Sequence, residues 1–204
     1  KLAIVLDDSS GMCGYLAPSS QYKKHLSALQ SLIEATPGLD ARLYFLSGDS
    51  GRPAIQTLDN LQSADNSKAC PFRAPTSPLN RFFESRTWGS QADLVVLLTD
   101  LVFDTGSGAG VSDGRTAFVN QAVAWSSKTP VDKFFSTGLG LVAIESAFAG
   151  EYYWADGKTK VSELRTDRRP FYILWRSSGS KTGGELANRL LKQLRDLSTN
   201  ARSS

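Results

Sequence analysis

The stretch DLVVLLTD, Asp93–Asp100, decides the fold of this chain. Its centre, Leu94–Leu98, is an uninterrupted apolar run, and such runs are typical of strands that are buried on both faces of a parallel sheet. The run LAIVL, Leu2–Leu6, has the same character and is followed directly by Asp7. The sequence therefore predicts two buried strands, with 93–99 as the central strand of a sheet.

Helical periodicity separates the predicted strands. Apolar residues recur at spacings of four, three and four over a segment from about Ser20 to Ala35, which predicts a helix with one buried face. Leucines at 186, 190, 194 and 197 predict a closing helix. Further strands are predicted at 41–46, at 53–58, within 134–144 and at 170–175, and further helices at 78–86 and 115–126. This alternation predicts an α/β fold with a single doubly wound, mostly parallel sheet flanked by helices.

A β-hairpin is predicted near 150–162 as an addition to this sheet. Tyr152–Trp154 and Thr159–Val161 have strand character, and they enclose an Asp-Gly pair that suits a tight type I′ turn. No internal repeat or linker is visible, so residues 1–204 are interpreted as one domain.

The composition of the 204 residues excludes several classes of protein. Hydrophobic residues make up 41% of the chain and charged residues 21%, so it has enough apolar material for a core. No apolar run approaches the roughly 18 residues of a membrane-spanning helix. The 23 basic and 20 acidic residues are interspersed and form no basic stripe. We therefore expect neither a membrane span nor a nucleic-acid partner.

One histidine and two cysteines limit the available chemistry. A zinc site built from Cys and His needs about four ligands, and only three such residues exist here. Any Ser-His mechanism would have to use His25. The segment GDSG, Gly48–Gly51, resembles the nucleophile segments of serine hydrolases, but we interpret it as a turn. His25 is interpreted as a partly buried structural residue, and no catalytic residue is assigned.

Cys13 and Cys70 are either two inert thiols or one disulfide. A disulfide would indicate an oxidising compartment, because disulfides persist mainly in secreted and extracytoplasmic proteins. It would therefore favour an extracytoplasmic location, which nothing else in the sequence indicates.

Oxygen-bearing side chains follow the predicted strands where each strand ends. Asp7 and Ser9 follow the first strand, and Asp100 follows the central strand. Thr76 opens a predicted helix between them. Because the carboxyl ends of parallel strands meet at one edge of a sheet, we expect these four side chains to converge there, at what we call the rim. Four oxygen ligands suit a hard cation, with Mg²⁺ as the first choice and Ca²⁺ or Mn²⁺ as alternatives. Asp8 is expected to be a solvated neighbour of this site.

These motifs resemble a von Willebrand factor A domain. The resemblance rests on the motif DDSSGM at 7–12, on Thr76 before a later helix, and on a central strand that ends in Leu-Leu-Thr-Asp. It covers nearly the whole chain and implies a Rossmann-like fold with a metal-ion-dependent adhesion site. In such a site Asp7, Ser9, Thr76 and Asp100 would hold a divalent cation, and a carboxylate of a protein partner would fill its open position.

The chain departs from the family pattern at three places. Gly11 stands where the second serine of the motif belongs, so the adhesion site lacks one hydroxyl ligand. Leu101 stands where a glycine commonly follows the aspartate. The predicted hairpin, within 145–169, lies where the family usually has a helical crossover.

Three functions follow as hypotheses. The first is a noncatalytic interaction module that binds a partner presenting Asp or Glu through the divalent cation. The second is a degenerate scaffold of the same type that binds partners without metal. The third is a Mg²⁺-dependent phosphatase-like hydrolase with Asp7 as nucleophile, although such enzymes have a second aspartate where this chain has Ser9.

Overall fold

A computed structural model describes most of the elements that surround the rim. It describes residues 1–18, 20–47, 50–53, 70–74, 79–83, 92–102, 119–120, 138–153 and 160–200. The strands are β1 (Leu2–Asp7), β2 (Ala41–Ser47), β3 (Ser50–Pro53), β4 (Leu94–Thr99), β5 (Leu139–Tyr153) and β6 (Lys160–Ser177). The helices are α1 (Gln21–Glu34), α2 (Lys181–Asn200) and two short 3₁₀ helices, Ser10–Leu16 and Leu79–Phe83.

The described strands form one mixed sheet in the order β3-β2-β1-β4-β6-β5. At its centre, β1 pairs with β2 and with β4 in parallel. The outer strand β3 runs antiparallel to β2, and β6 runs antiparallel to both β4 and β5. The predicted α/β class, with a single sheet flanked by helices, is confirmed, and β4 is hydrogen-bonded on both sides as predicted.

The predicted hairpin is longer than the sequence indicated. The strands predicted within 134–144 and at 170–175 are parts of its two antiparallel arms, β5 and β6. Its distal end includes the pairs Tyr152–Val161 and Tyr153–Lys160. The predicted Asp-Gly turn lies outside the described residues. Strands joined by a short connection pair antiparallel, because a parallel crossover needs a dozen or more residues.

Apolar side chains on the two faces of the sheet form two cores. On one face, α1 and α2 pack their buried leucines against β1, β4 and β6. On the other face, the 3₁₀ helix Leu79–Phe83 covers alternate residues of the same strands. No helix within the described ranges is long and apolar enough to cross a bilayer.

The first predicted helix is confirmed almost to the residue. Ser20 caps its N-terminus, because the Ser20 hydroxyl accepts a hydrogen bond of 3.2 Å from the Lys23 N–H. Other predicted elements are only partly described. Within 78–86 the structure shows the short 3₁₀ helix, and within 115–126 only residues 119–120 are described, as helix. The edge strand predicted at 53–58 is described up to Pro53.

His25 is more deeply buried than the partly buried residue that the sequence predicted. Its side chain is on α1, its Nδ1 lies 2.7 Å from the Gln21 carbonyl oxygen, and its ring meets the Phe171 ring edge-on. Only 3% of the residue is exposed, and burial lowers the pKa of His25 below its ordinary 6.5. In the folded protein His25 is therefore neutral at a pH where the unfolded chain already binds a proton.

This burial predicts a loss of stability in acid. As the pH falls through about 6.5, His25 gains a proton in the unfolded chain but stays neutral in the folded protein. The free energy of unfolding therefore decreases. Urea unfolding of wild type and His25→Gln between about pH 7.5 and 5 measures the effect. The advantage of wild type over the variant should shrink as the pH falls. A constant difference across this range would show that His25 titrates alike in both states.

Candidate functional site

Asp7 and Asp100 lie side by side at the rim. Asp7 ends β1, Asp100 directly follows β4, and these two strands are parallel neighbours. Both residues are buried. Burial, together with the negative charge of Asp7, raises the pKa of Asp100 to about 6. The structure thus places two carboxylates close enough for each to affect the ionisation of the other.

Asp7 holds the two loops that leave the strands. Asp7 Oδ1 accepts a hydrogen bond of 2.9 Å from the Ser9 N–H, and Asp7 Oδ2 accepts one of 2.7 Å from the Thr99 hydroxyl. The Thr99 oxygen in turn accepts a hydrogen bond of 3.0 Å from the Leu101 N–H. One buried carboxylate therefore fixes the start of the loop after β1 and the start of the loop after β4.

The chain leading to Thr76 runs beside Ser9. Ser9 and Ala74 form an isolated parallel bridge, in which the Ser10 N–H donates to the Ala74 carbonyl oxygen at 3.1 Å. Thr76 follows Ala74 by two positions but lies outside the described residues, so the structure places three of the four predicted ligands. Of these, Asp7 and Ser9 are joined by the hydrogen bond described above.

Asp8 is buried, and the prediction that it is a solvated neighbour is wrong. Only 1% of the residue is exposed, and its carboxylate accepts a hydrogen bond of 3.3 Å from the Arg73 N–H. The carbonyl oxygen of Asp8 also accepts a hydrogen bond from the Ala74 N–H. The alternation that turns Asp8 away from Asp7 directs it into the contact with 70–74 rather than into water.

A disulfide joins Cys13 to Cys70, one of the two alternatives that the sequence left open. Their Cα atoms are 5.6 Å apart, and 57 positions separate them along the chain. Cys13 lies on the 3₁₀ helix that follows Ser9, and Cys70 begins the segment 70–74. The disulfide therefore fastens together the two segments that meet beside Ser9.

Gly11 and Leu101, the two departures from the family motif, both lie next to Asp100. A Cβ atom at Gly11 would lie 3.5 Å from Asp100 Oδ2, so position 11 faces the carboxylate of Asp100. Leu101 has φ +56°, a left-handed conformation that glycine adopts without steric cost. The backbone after Asp100 therefore has the conformation that a glycine would favour, although the residue there is leucine.

The left-handed backbone predicts an unusual order of stability for two variants. Leu101→Gly and Leu101→Ala both remove the leucine side chain, but alanine retains the steric cost at positive φ. Leu101→Gly is expected to be more stable by about 1 kcal/mol, measured by urea unfolding. Equal stability, or a more stable alanine variant, would contradict the left-handed conformation.

Arg169 is the rim residue that sequence reasoning missed. Its Nη2 lies 3.2 Å from Asp100 Oδ2, and only 11% of the Arg169 side chain and 4% of the Asp100 side chain are exposed. Its Nε donates a hydrogen bond of 2.8 Å to the Tyr15 hydroxyl, which itself donates to the Pro170 carbonyl oxygen at 2.6 Å. The guanidinium lies 4.6 Å from the centre of the Phe148 ring. Arg169 is thus held by charge, hydrogen bonding and ring contact together.

A sequence signal for Arg169 exists in the alternation of β6. Phe171, Ile173 and Trp175 share the buried face of this strand. Extending the same period of two by one step places Arg169 on that face. An arginine on a buried face requires a partner, because an unpaired buried charge is very costly. This signal predicts a buried ion pair but does not name the acid.

Tyr22 contributes a buried hydroxyl close to the same carboxylates. The residue is fully buried, and within the described part of the chain its hydroxyl makes no hydrogen bond. Burial, followed by the negative charge of Asp7, raises the pKa of Tyr22 well above its ordinary value. The phenol is therefore uncharged and adds a polar atom behind the rim without adding charge.

The carboxylates of Asp7 and Asp100 suit the side-chain cation of Arg169 better than a divalent ion. All four carboxylate oxygens of Asp7 and Asp100 already accept hydrogen bonds from the protein, including one from Val102 N–H to Asp100 Oδ1 at 3.0 Å. One of these donors, Arg169, carries a positive charge that would repel a dication bound to the same carboxylate. Position 11 supplies no hydroxyl. Among the described residues, the contact of Arg169 with Asp100 is therefore the feature that disfavours a dication on this carboxylate.

Comparisons of the chain with protein-family models, curated proteins and solved structures found no match. The resemblance to von Willebrand factor A domains therefore stays a prediction from the sequence motifs.

Proposed function

We propose that this protein is a noncatalytic interaction module of the von Willebrand factor A type, which binds a protein partner at the rim. The layout of the strand ends carries this proposal. Asp7 and Asp100 lie on adjacent parallel strands, position 11 faces Asp100, and the residue after Asp100 is left-handed. These features match the places at which the family motif requires its acids, its second serine and its glycine.

The environment of Asp7 supports binding rather than hydrolysis. In the phosphatase-like alternative Asp7 would attack phosphorus, yet it is fully buried and both of its oxygens accept hydrogen bonds. A nucleophile has to reach its substrate, and a fully buried carboxylate does not. A screen with generic aryl phosphates and Mg²⁺ tests the alternative, and turnover that Asp7→Asn abolishes would favour a hydrolase.

Two versions of the binding proposal differ in their need for metal. In the first, Asp7, Ser9, Thr76 and Asp100 hold Mg²⁺, Ca²⁺ or Mn²⁺, which accepts an Asp or Glu of the partner. In the second, the partner is bound without metal, and the close contact of Arg169 with Asp100 favours this version. The disulfide supports an extracytoplasmic location for either version, because such bonds persist in oxidising compartments.

Selection from a random peptide library displayed on phage tests binding at the rim. Peptides selected on wild type are expected to be rich in Asp and Glu and to lose affinity for Ser9→Tyr, because a phenol at position 9 covers the rim. Ser27→Tyr is the matched control, since Ser27 is exposed on α1, away from the strand ends. Peptides that bind wild type and Ser9→Tyr equally would contradict binding at the rim.

A further inference from the structure

We propose that the guanidinium of Arg169 is the resident cation of the rim and takes the place that the family resemblance assigns to a divalent ion. The inference deepens the proposed function and rests on it in one respect, since it makes partner binding independent of metal. It follows from three observations on Asp100, on the surroundings of Arg169 and on position 11.

The first observation is the balance of charge at the strand ends. Asp7 and Asp100 bring two carboxylates into a buried place, where charge has to be compensated. Arg169 supplies a permanent positive charge at 3.2 Å from Asp100 Oδ2. Asp100 therefore obtains a counter-charge from the chain itself rather than from an ion in solution.

The second observation is that the guanidinium is fixed in position. It donates to the Tyr15 hydroxyl and lies above the Phe148 ring, while the Tyr15 and Phe148 rings meet edge-on at 4.9 Å. Such a cradle fits the planar guanidinium rather than a lysine ammonium. These contacts hold the Arg169 guanidinium against Asp100, and a dication would have to displace it from this carboxylate.

The third observation links the lost ligand to the gained cation. A serine at position 11 would place its Cβ 3.5 Å from Asp100 Oδ2, which is the same oxygen that Arg169 contacts. The hydroxyl that the family motif would supply and the guanidinium that this chain supplies therefore meet at one atom. Glycine at position 11 is consistent with a rim in which no metal remains to be coordinated.

Four proteins test the inference: wild type, Gly11→Ser, Arg169→Met and the double variant Gly11→Ser/Arg169→Met. Each is titrated with Mg²⁺ and with Mn²⁺ by calorimetry, and its melting temperature is measured with cation and with chelator. Wild type and Gly11→Ser should show no saturable heat and no shift in melting temperature. Arg169→Met should be stabilised by cation, and the double variant should show the larger shift, because it has lost the competing charge and regained a hydroxyl.

The outcomes separate this inference from the proposed function. Saturable cation binding by wild type, or no cation-dependent shift in a folded double variant, would overturn the role of Arg169. If the double variant folds only when Mg²⁺ is present during refolding, the inference is supported. If neither Arg169 variant folds under any condition, the wild-type titration decides. None of these measurements needs a partner, so failure of the peptide selection leaves their result intact.

Discussion

Replacing Arg169 with methionine is expected to lower the free energy of unfolding by about 3–5 kcal/mol at neutral pH, because it leaves a buried carboxylate without its counter-charge. Methionine preserves much of the aliphatic stem that packs near Phe148 and Tyr15, so the loss reports mainly the charge. Among the described residues, Asp100 would keep its neighbour Asp7 and the hydrogen bond from Val102 N–H. Urea unfolding of wild type and variant in the absence of divalent cations measures the difference.

Two further variants show whether the loss belongs to the ion pair. Arg168→Met makes the same substitution at the preceding, exposed position and is expected to change the free energy of unfolding by about 0.5 kcal/mol or less. In Asp100→Asn/Arg169→Met no buried carboxylate is left at position 100. This double variant should therefore be destabilised by less than the sum of its two single variants. Additive losses would mean that Arg169 and Asp100 do not act as a pair.

The centre of the fold could be predicted because burial leaves a simple pattern in its sequence. Strands buried on both faces must be apolar at every position, so Leu2–Leu6 and Leu94–Leu98 identified β1 and β4 directly. The helix α1 was equally clear, since its buried face repeats with helical spacing and Ser20 provides an N-cap. The positions of Asp7 and Asp100 at the rim then followed from the ends of these two strands.

The outer part of the sheet could not be predicted in the same way. Apolar spacing identifies a strand but does not specify its direction, so β5 and β6 were recognised only in pieces. The pairing of Ser146 with Arg169 depends on the register of the long hairpin, which shifts between Ser146 and Phe148. Arg169 reaches an acid 69 positions away, and no local pattern specifies such a partner. Arg169, which changes the charge at the rim, therefore lies on β6, a strand whose pairing could not be predicted from the sequence.

Removing the disulfide with Cys13→Ser/Cys70→Ser is expected to lower the free energy of unfolding by about 4 kcal/mol, because the bond closes a loop of nearly sixty residues in the unfolded chain. The same change releases the covalent tie between the 3₁₀ helix Ser10–Leu16 and the segment 70–74, so peptides selected at the rim should also bind more weakly. Denaturant unfolding with and without a reducing agent measures the first effect. Reductant should destabilise wild type to the level of the double variant and leave that variant unchanged. If reduced and oxidised wild type unfold at the same denaturant concentration, the disulfide does not stabilise the fold. The two segments are then held together by other contacts, among them the hydrogen bonds of the Ala74 backbone with Asp8 and Ser10.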